Sequence, residues 1–471
     1  MNGVILPSSS SLGSILSWMI LSLQYFCLIQ ATLAALNDLN GLEDANDVHR
    51  KRDWNRFISR DRLRMVDLTN LDEIEQHCPA EADGTFQSCN GPLSAIKVMK
   101  SYDRSDLEPW LMPLSKYFGD NMTQPEYSRP FAPHLVAVRD SFLSAWGYIF
   151  DFKRWFIHGG CSDKSYFSPN FDYDLTTQAV ARFDRPVLSL VHPYPGIYFH
   201  EFIEIHALLL MSQPLIKMIP DIPILVNKNF QQKQLYPLLK VLGINHEKYN
   251  FVSLKSNNRP NKRNAGLPKI TSGLVYSPYV ITPLSLWCHY ISRTTINQMR
   301  LGYENLSFWG LPGDGIVIFD RYNLRPKRSL PQGYEIFKML NTTYGHTNSV
   351  RMYYGNESLE DTVRIFRGCK VFIAAHGGGE SNMMFMPSGG SIIEIRPENW
   401  PITCFIDIAN NVNINHYMYI DVNHIKKKNP EMHVNYNSFL PWINTIINEA
   451  LNVNYVISLP FVNNSISLID L

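Results

Sequence analysis

Residues Val371 to Glu394 read Val-Phe-Ile-Ala-Ala-His-Gly-Gly-Gly-Glu-Ser-Asn-Met-Met-Phe-Met-Pro-Ser-Gly-Gly-Ser-Ile-Ile-Glu. An apolar run rich in Val and Ile stops at His376. Three glycines follow (Gly377, Gly378 and Gly379), then Glu380-Ser381-Asn382, an apolar segment, and a second β-like run through Ile392 and Ile393. The pattern predicts strand, glycine turn, short helix, strand. In open α/β sheets, ligands bind outside the carboxyl ends of the strands. Glycines there bring backbone N–H groups close to a phosphate, and a helix N-terminus adds positive potential. The stretch therefore points to a site for a phosphorylated ligand. His376 would donate to a phosphate or a sugar hydroxyl, and Ser381 and Asn382 would cap the next helix. The same residues also fit a tight connection in which His376 is structural.

Upstream, residues 316–319 predict a strand, and Arg321, Arg325, Lys327 and Arg328 follow it. Guanidinium forks bind phosphate oxygens in bidentate fashion. In the same half of the chain as the glycine turn, these cations are candidates for stabilising a departing diphosphate without a metal. A solvated basic loop is the plainer reading. Residues 198–211 predict a helix that opens Tyr198-Phe199-His200-Glu201-Phe202-Ile203-Glu204. His200 and Glu204 lie one turn apart on one face. A His or carboxylate that opens a helix on a cleft can serve as general base. Taken alone, the pattern equally fits an amphipathic helix with a surface His–Glu pair. Asp172-Tyr173-Asp174 has the form of an Asp-x-Asp metal site, but residues 168–171 before it read as a loop. A loop or cap role is expected there ahead of metal binding.

The β and α signals alternate from about Pro133 onward. Further strands are expected at residues 186–191, 222–226, 250–254, 274–276 and 349–354, and helices at 231–242 and 283–301. Ser358-Leu359-Glu360-Asp361 has the form of a capping box before a helix ending near Arg367. The polar, basic stretch 257–265 is the best linker. Two alternating runs split by a linker argue for two α/β domains facing a cleft.

The bulk numbers agree. A chain of 471 residues exceeds one ordinary core. At 45% hydrophobic and 18% charged most of it is globular, and a net charge of +1 gives no support for a nucleic-acid binder. Residues 12–36 are mostly apolar and precede the first charged side chain, Asp38. That length suits a signal anchor or a cleaved signal peptide. The basic cluster 49–52 after it would, on a strict positive-inside reading, face the cytoplasm. Of seven cysteines, Cys78 and Cys89 are the most plausible disulfide, and buried free thiols are the plain reading of Cys369 and Cys404. No Cys/His spacing suggests structural zinc. Glycosylation sequons stand at Asn121, Asn305, Asn341, Asn356 and Asn463 and fit a secretory protein.

Together these blocks resemble glycosyltransferase family 61. The family's His-Gly-Ala-Gly-Leu-Thr-Asn stands here as His376-Gly377-Gly378-Gly379-Glu380-Ser381-Asn382, followed by Phe385-Met386-Pro387 and Ile392-Ile393-Glu394-Ile395. Its Arg-x-x-x-Arg matches Arg321 and Arg325, and its Phe-His-Asp-Phe-x-Asp matches Phe199, His200, Glu201, Phe202 and Glu204. Gly378 replaces Ala, Glu380-Ser381 replaces Leu-Thr, and both helix acids are Glu. An acid at 380 suits a diphosphate site only with its side chain turned away.

The resemblance implies a GT-B architecture of two Rossmann-like domains. The expected division is residues 1–36 as signal peptide or anchor, 37–130 as stem, 131–265 as acceptor-side domain and 266–425 as nucleotide-sugar domain. Residues 426–471 would pack back on the N-terminal domain. It implies inverting transfer of a xylose-, GlcNAc- or arabinose-class sugar from a UDP-sugar to a glycan or glycoprotein, with no cofactor and no metal. Glu204 is the first candidate base, with Glu201 and His200 next. Arg321, Arg325, His376, Gly377, Gly378, Gly379, Ser381 and Asn382 would bind the donor. The setting would be the Golgi or endoplasmic reticulum lumen, with a type II membrane segment, or secretion if that segment is cleaved. The alternatives are a sugar- or nucleotide-binding pseudoenzyme, favoured by Glu380, and a metal-dependent transferase using Asp172 and Asp174.

Overall fold

The computed structural model describes residues 57–59, 64–68, 76–78, 86–100, 115–118, 134–157, 172–174, 180–192, 198–227, 249–254, 269–270, 273–284, 293–304, 309–321, 329–397, 404–421 and 431–452. The fold is mixed α/β, with one large mixed sheet and one parallel sheet. The predicted helix at 231–242, the linker at 257–265, the apolar stretch 12–36 and Arg325, Lys327 and Arg328 lie outside the described residues. Among the described residues, no helix is long and apolar enough to cross a membrane.

The parallel sheet runs Val350–Tyr353, Gly315–Phe319, Cys369–Ala375, Ser391–Pro397, Asn415–Asp421, Ser115–Phe118. Its three central strands are buried along their whole length, as parallel strands covered on both faces must be. Alternate residues serve the two faces. Ile316, Ile318, Val371 and Ile373 pack with Ile336 and Leu340 of the helix Gly333–Tyr344, and with Phe439 and Ile443 of the helix Tyr436–Asn452. Val317, Phe319, Phe372 and Ala374 pack on the other side with Phe366, Phe385, Phe405, Phe199 and Phe202. The second group includes residues from the helical segment that connects Val187–Ser189 to Ile224–Asn227 of the large sheet, so the two halves share a core. Ser358 caps the helix Leu359–Arg367 as expected, its Oγ accepting from the Asp361 N–H at 3.1 Å.

The chain leaves Gly315–Phe319 for one neighbour, Val350–Tyr353, and then returns to the opposite neighbour, Cys369–Ala375. The connections therefore diverge between Gly315–Phe319 and Cys369–Ala375. That switch point opens a crevice at their carboxyl ends, where α/β sheets bind ligands.

In the large sheet, Lys269–Ile270, Phe251–Leu254, Ile224–Asn227, Val187–Ser189 and Leu274–Pro283 run parallel, and His134–Ser144 pairs antiparallel with the last of these. Cys78 and Cys89 form a disulfide, and Cys369 and Cys404 are buried thiols.

Several elements differ from expectation. The strand expected at 274–276 extends through Leu274–Pro283 and belongs to the large sheet, although it follows the domain boundary drawn at 265. The helix expected from 283 is described as Arg293–Glu304. Tyr436–Asn452 joins the core of the parallel sheet instead of packing back on the N-terminal half, because its Phe439, Ile443 and Ile447 meet that sheet's apolar face. Asp172–Asp174 is a strand paired antiparallel with Phe57–Ser59, in place of the expected loop.

Candidate active site

The strand Cys369–Ala375 ends at the switch point, where the His376 N–H donates to the Ile395 carbonyl and carries the ladder one residue further. The 3-10 helix Gly378–Phe385 begins at once. Glu380, fully buried, turns back so that its Oε1 accepts from the Gly377 N–H at 3.0 Å. The cap expected from Ser381 and Asn382 is thus made by Glu380, and both of those residues lie inside the 3-10 helix. Asn382 instead reaches outward. Its Oδ1 accepts from the Tyr198 hydroxyl at 2.7 Å, and its Nδ2 donates to the Tyr353 hydroxyl at 3.2 Å.

Each glycine admits a different neighbour. A Cβ at Gly377 would strike Nη1 of Arg321, and one at Gly378 would lie 3.3 Å from the Phe199 backbone nitrogen. One at Gly379 would strike the Phe319 ring. The turn therefore gathers Arg321 from one strand end and Phe199 from the opposite half of the molecule. Two substitutions separate these roles. Gly379→Ala forces the buried Phe319 ring aside and should destabilise the fold by about 1–3 kcal/mol. Gly377→Ala meets only the tip of Arg321, so it should leave the melting temperature nearly unchanged while weakening anion binding. Thermal melts beside a UDP titration of each variant check both outcomes.

Facing the turn, Tyr198 and Phe199 lead into a six-residue π-helical segment, His200–Ile205, which continues as the helix His206–Met211. Such wide turns occur frequently at functional sites. The His–Glu pair lies in the interior, which corrects the surface placement. Glu204 Oε2 meets His200 Nδ1 at 2.5 Å and His192 Nε2 at 2.9 Å. His192 follows the strand Val187–Ser189, and its N–H donates to Asn227 Oδ1 at 2.7 Å. Burial opposes charge on Glu204, but His200 and His192 together hold its carboxyl well below the ordinary range. Burial pushes the His192 imidazole down against the pull of Glu204. Glu201 is buried in the same turn.

A second His–Glu–His group lies on the parallel sheet. His376 Nδ1 is hydrogen-bonded to Glu394 Oε1, and Glu394 Oε2 lies 3.0 Å from His416 Nε2. Burial again opposes the charge, and His376, His416 and Arg396 override it, holding the Glu394 carboxyl below the ordinary range. Aromatic rings join the two groups. His200 packs on Phe199, Phe199 on Phe405 and Phe405 on His376, with centroids 5.3, 5.5 and 5.2 Å apart. Burial, with a smaller contribution from the charges of Glu394, Glu380, Asp407 and Glu204, raises the Cys404 thiol far above its usual range. The sets His192/His200/Glu204 and His376/Glu380/Glu394 each bring ligand atoms within 4.8 Å of one another, a spacing that a metal ion could bridge.

A sequence model of the family described as Glycosyltransferase 61 matches residues 131–393. The chain belongs to glycosyltransferase family 61. No curated protein matches it. Membership makes it a glycosyltransferase, and the match contains the π-helical turn, Arg321 and the glycine turn. The structure of this family 61 protein places Arg321, His376, the three glycines and Asn382 together at the switch point, with His200 and Glu204 joined to them through Phe199 and Phe405. Arg325 lies outside the described residues. His192, Tyr198 and His416 escaped sequence reasoning. A histidine just past a β run was the available signal for His192. His416, one histidine inside an apolar strand, carried none.

Proposed function

We propose that this family 61 protein is an inverting transferase. It moves a xylose-, GlcNAc- or arabinose-class sugar from a UDP-sugar to a glycan or glycoprotein in the Golgi or endoplasmic reticulum lumen, within a GT-B arrangement. The observation that carries this reading is the seating of Arg321 over Gly377 at the switch point, opposite Tyr198 and Phe199. That seating supports a diphosphate held between a guanidinium fork and the N-terminal turn of a helix-like segment. Glu380, the residue that favours a non-catalytic binding protein, has its Oε1 engaged with the Gly377 N–H.

The acceptor hydroxyl attacks the anomeric carbon from the face opposite the diphosphate. As the new C–O bond forms, the old one breaks and its electron pair stays with UDP. Arg321, His376 and turn N–H groups other than the committed Gly377 N–H meet the charge on the leaving group. The geometry supports His200 as base in place of Glu204. A carboxyl held well below its usual range is a weak proton acceptor. The same carboxylate at His200 Nδ1 orients the ring so that Nε2 takes the proton, as in other carboxylate–histidine pairs.

A panel of UDP- and GDP-sugars, read as nucleotide released with and without EDTA, tests this reading. Release from a UDP-sugar unaffected by EDTA is the expected result. Complete loss restored by Mn²⁺ would overturn the metal-free division of labour, and no release from any donor would overturn catalysis.

A further inference from the structure

We propose that Glu394 and His416 are positioning residues for the donor diphosphate, acting through His376; this rests on the transferase reading above. His376 directly follows one of three neighbouring parallel strands, and Glu394 and His416 lie on the next two in fixed register, with Ala374 opposite Glu394 and Ile392 opposite His416. Glu394 is bonded to His376 Nδ1 on one side and lies 3.0 Å from His416 Nε2 on the other. His376 and His416 are each 2% exposed and Glu394 1%, among buried residues such as Ile393, Ile395 and Ala375. Well-packed apolar residues would serve stability there as well or better than a buried ionic line. The line also ends at the glycine turn, beside Gly377, and at no other described loop.

A carboxylate at Nδ1 fixes the N–H on that nitrogen and assigns the ligand contact to Nε2. His416 then steadies the carboxylate from its other side, its Nε2 lying 3.0 Å from the second oxygen, against rotation away from His376. Arg396, further along the strand, adds a cation beside the same carboxyl. Orientation of a ligand-binding histidine by a carboxylate, itself held by a third group, is the arrangement by which outer residues set the precision of a site. His416 has no part in touching the ligand; it acts two residues removed.

The experiment is calorimetric titration of the full chain with UDP, comparing wild type, Arg321→Ala, His416→Leu and His416→Gln, each corrected for its folded fraction. His416→Leu should bind UDP roughly tenfold more weakly, the low end of the cost of losing an outer partner behind a ligating histidine. His416→Gln keeps a nitrogen donor near the position of Nε2 and should restore affinity to within about twofold. Wild-type affinity in His416→Leu, or no rescue by Gln, overturns the inference. If His416→Leu fails to fold, ¹⁵N-histidine spectra of the unmutated protein decide. UDP should shift the His376 ring while its Nδ1 stays protonated, and an unmoved His376 overturns the proposal. Failure of the underlying reading has a different signature: wild type that does not bind UDP, or Arg321→Ala that binds it as wild type does.

Discussion

Arg321→Ala should fold normally and lose about 2.7–4 kcal/mol of transition-state stabilisation, roughly 10²–10³-fold in kcat, if its guanidinium acts on the leaving diphosphate as an oxyanion donor does. Arg321 is half-buried at the strand end, with its tip directly over Gly377, so truncation empties the crevice and spares the sheet. Arg321→Lys should recover only part of the loss, since a point charge replaces a planar fork. Gly377→Ala displaces the same guanidinium, so the double variant should be little worse than Arg321→Ala alone, as residues sharing one interaction are not additive. Initial rates of nucleotide release beside thermal melts check this, and an unchanged rate in a folded Arg321→Ala protein removes Arg321 from the site.

The second large effect concerns the base. His200→Asn keeps an amide N–H near the position of Nδ1, so Glu204 retains a donor on that side and the fold should survive. It removes Nε2, and kcat should fall by about 10²–10⁴-fold, the usual range for losing a general base. Glu204→Gln keeps the shape of the group and leaves His200 able to accept a proton, so it should cost less. If Glu204 itself took the proton, the order would reverse. Asp172→Asn should leave the rate unchanged, because Asp172–Asp174 is engaged in a two-stranded ladder with Phe57–Ser59. A loss there comparable to that of His200→Asn would favour the metal-dependent alternative.

The central strands of the parallel sheet were legible because Gly315–Phe319, Cys369–Ala375 and Ser391–Pro397 carry apolar runs, whereas Asn415–Asp421 and Ser115–Phe118, the latter within the stretch read as stem, were not expected. What escaped was set by partners distant in sequence. Pro278 reads as a strand breaker, yet Leu274–Pro283 runs through it. The pairing with His134–Ser144 steps from Ser277 opposite Ser141 to Tyr279 opposite Arg139, while the intervening Asp140 takes a φ of 51°. Glu380 looked out of place beside a phosphate because its backward bond to the Gly377 N–H is a matter of local turn geometry. The His200–Glu204 pair looked like surface chemistry because helical spacing says nothing of His192, eight residues before His200 on the preceding connection. His416 is invisible in sequence because its partner, Glu394, is reached only across a strand pair.

The most direct test of the central claim is a crystal structure of the chain with UDP. The diphosphate should lie at the carboxyl ends of Gly315–Phe319 and Cys369–Ala375, within hydrogen-bond reach of the Arg321 guanidinium and His376 Nε2. A nucleotide bound on the large sheet, or a diphosphate out of reach of Arg321, would contradict the account.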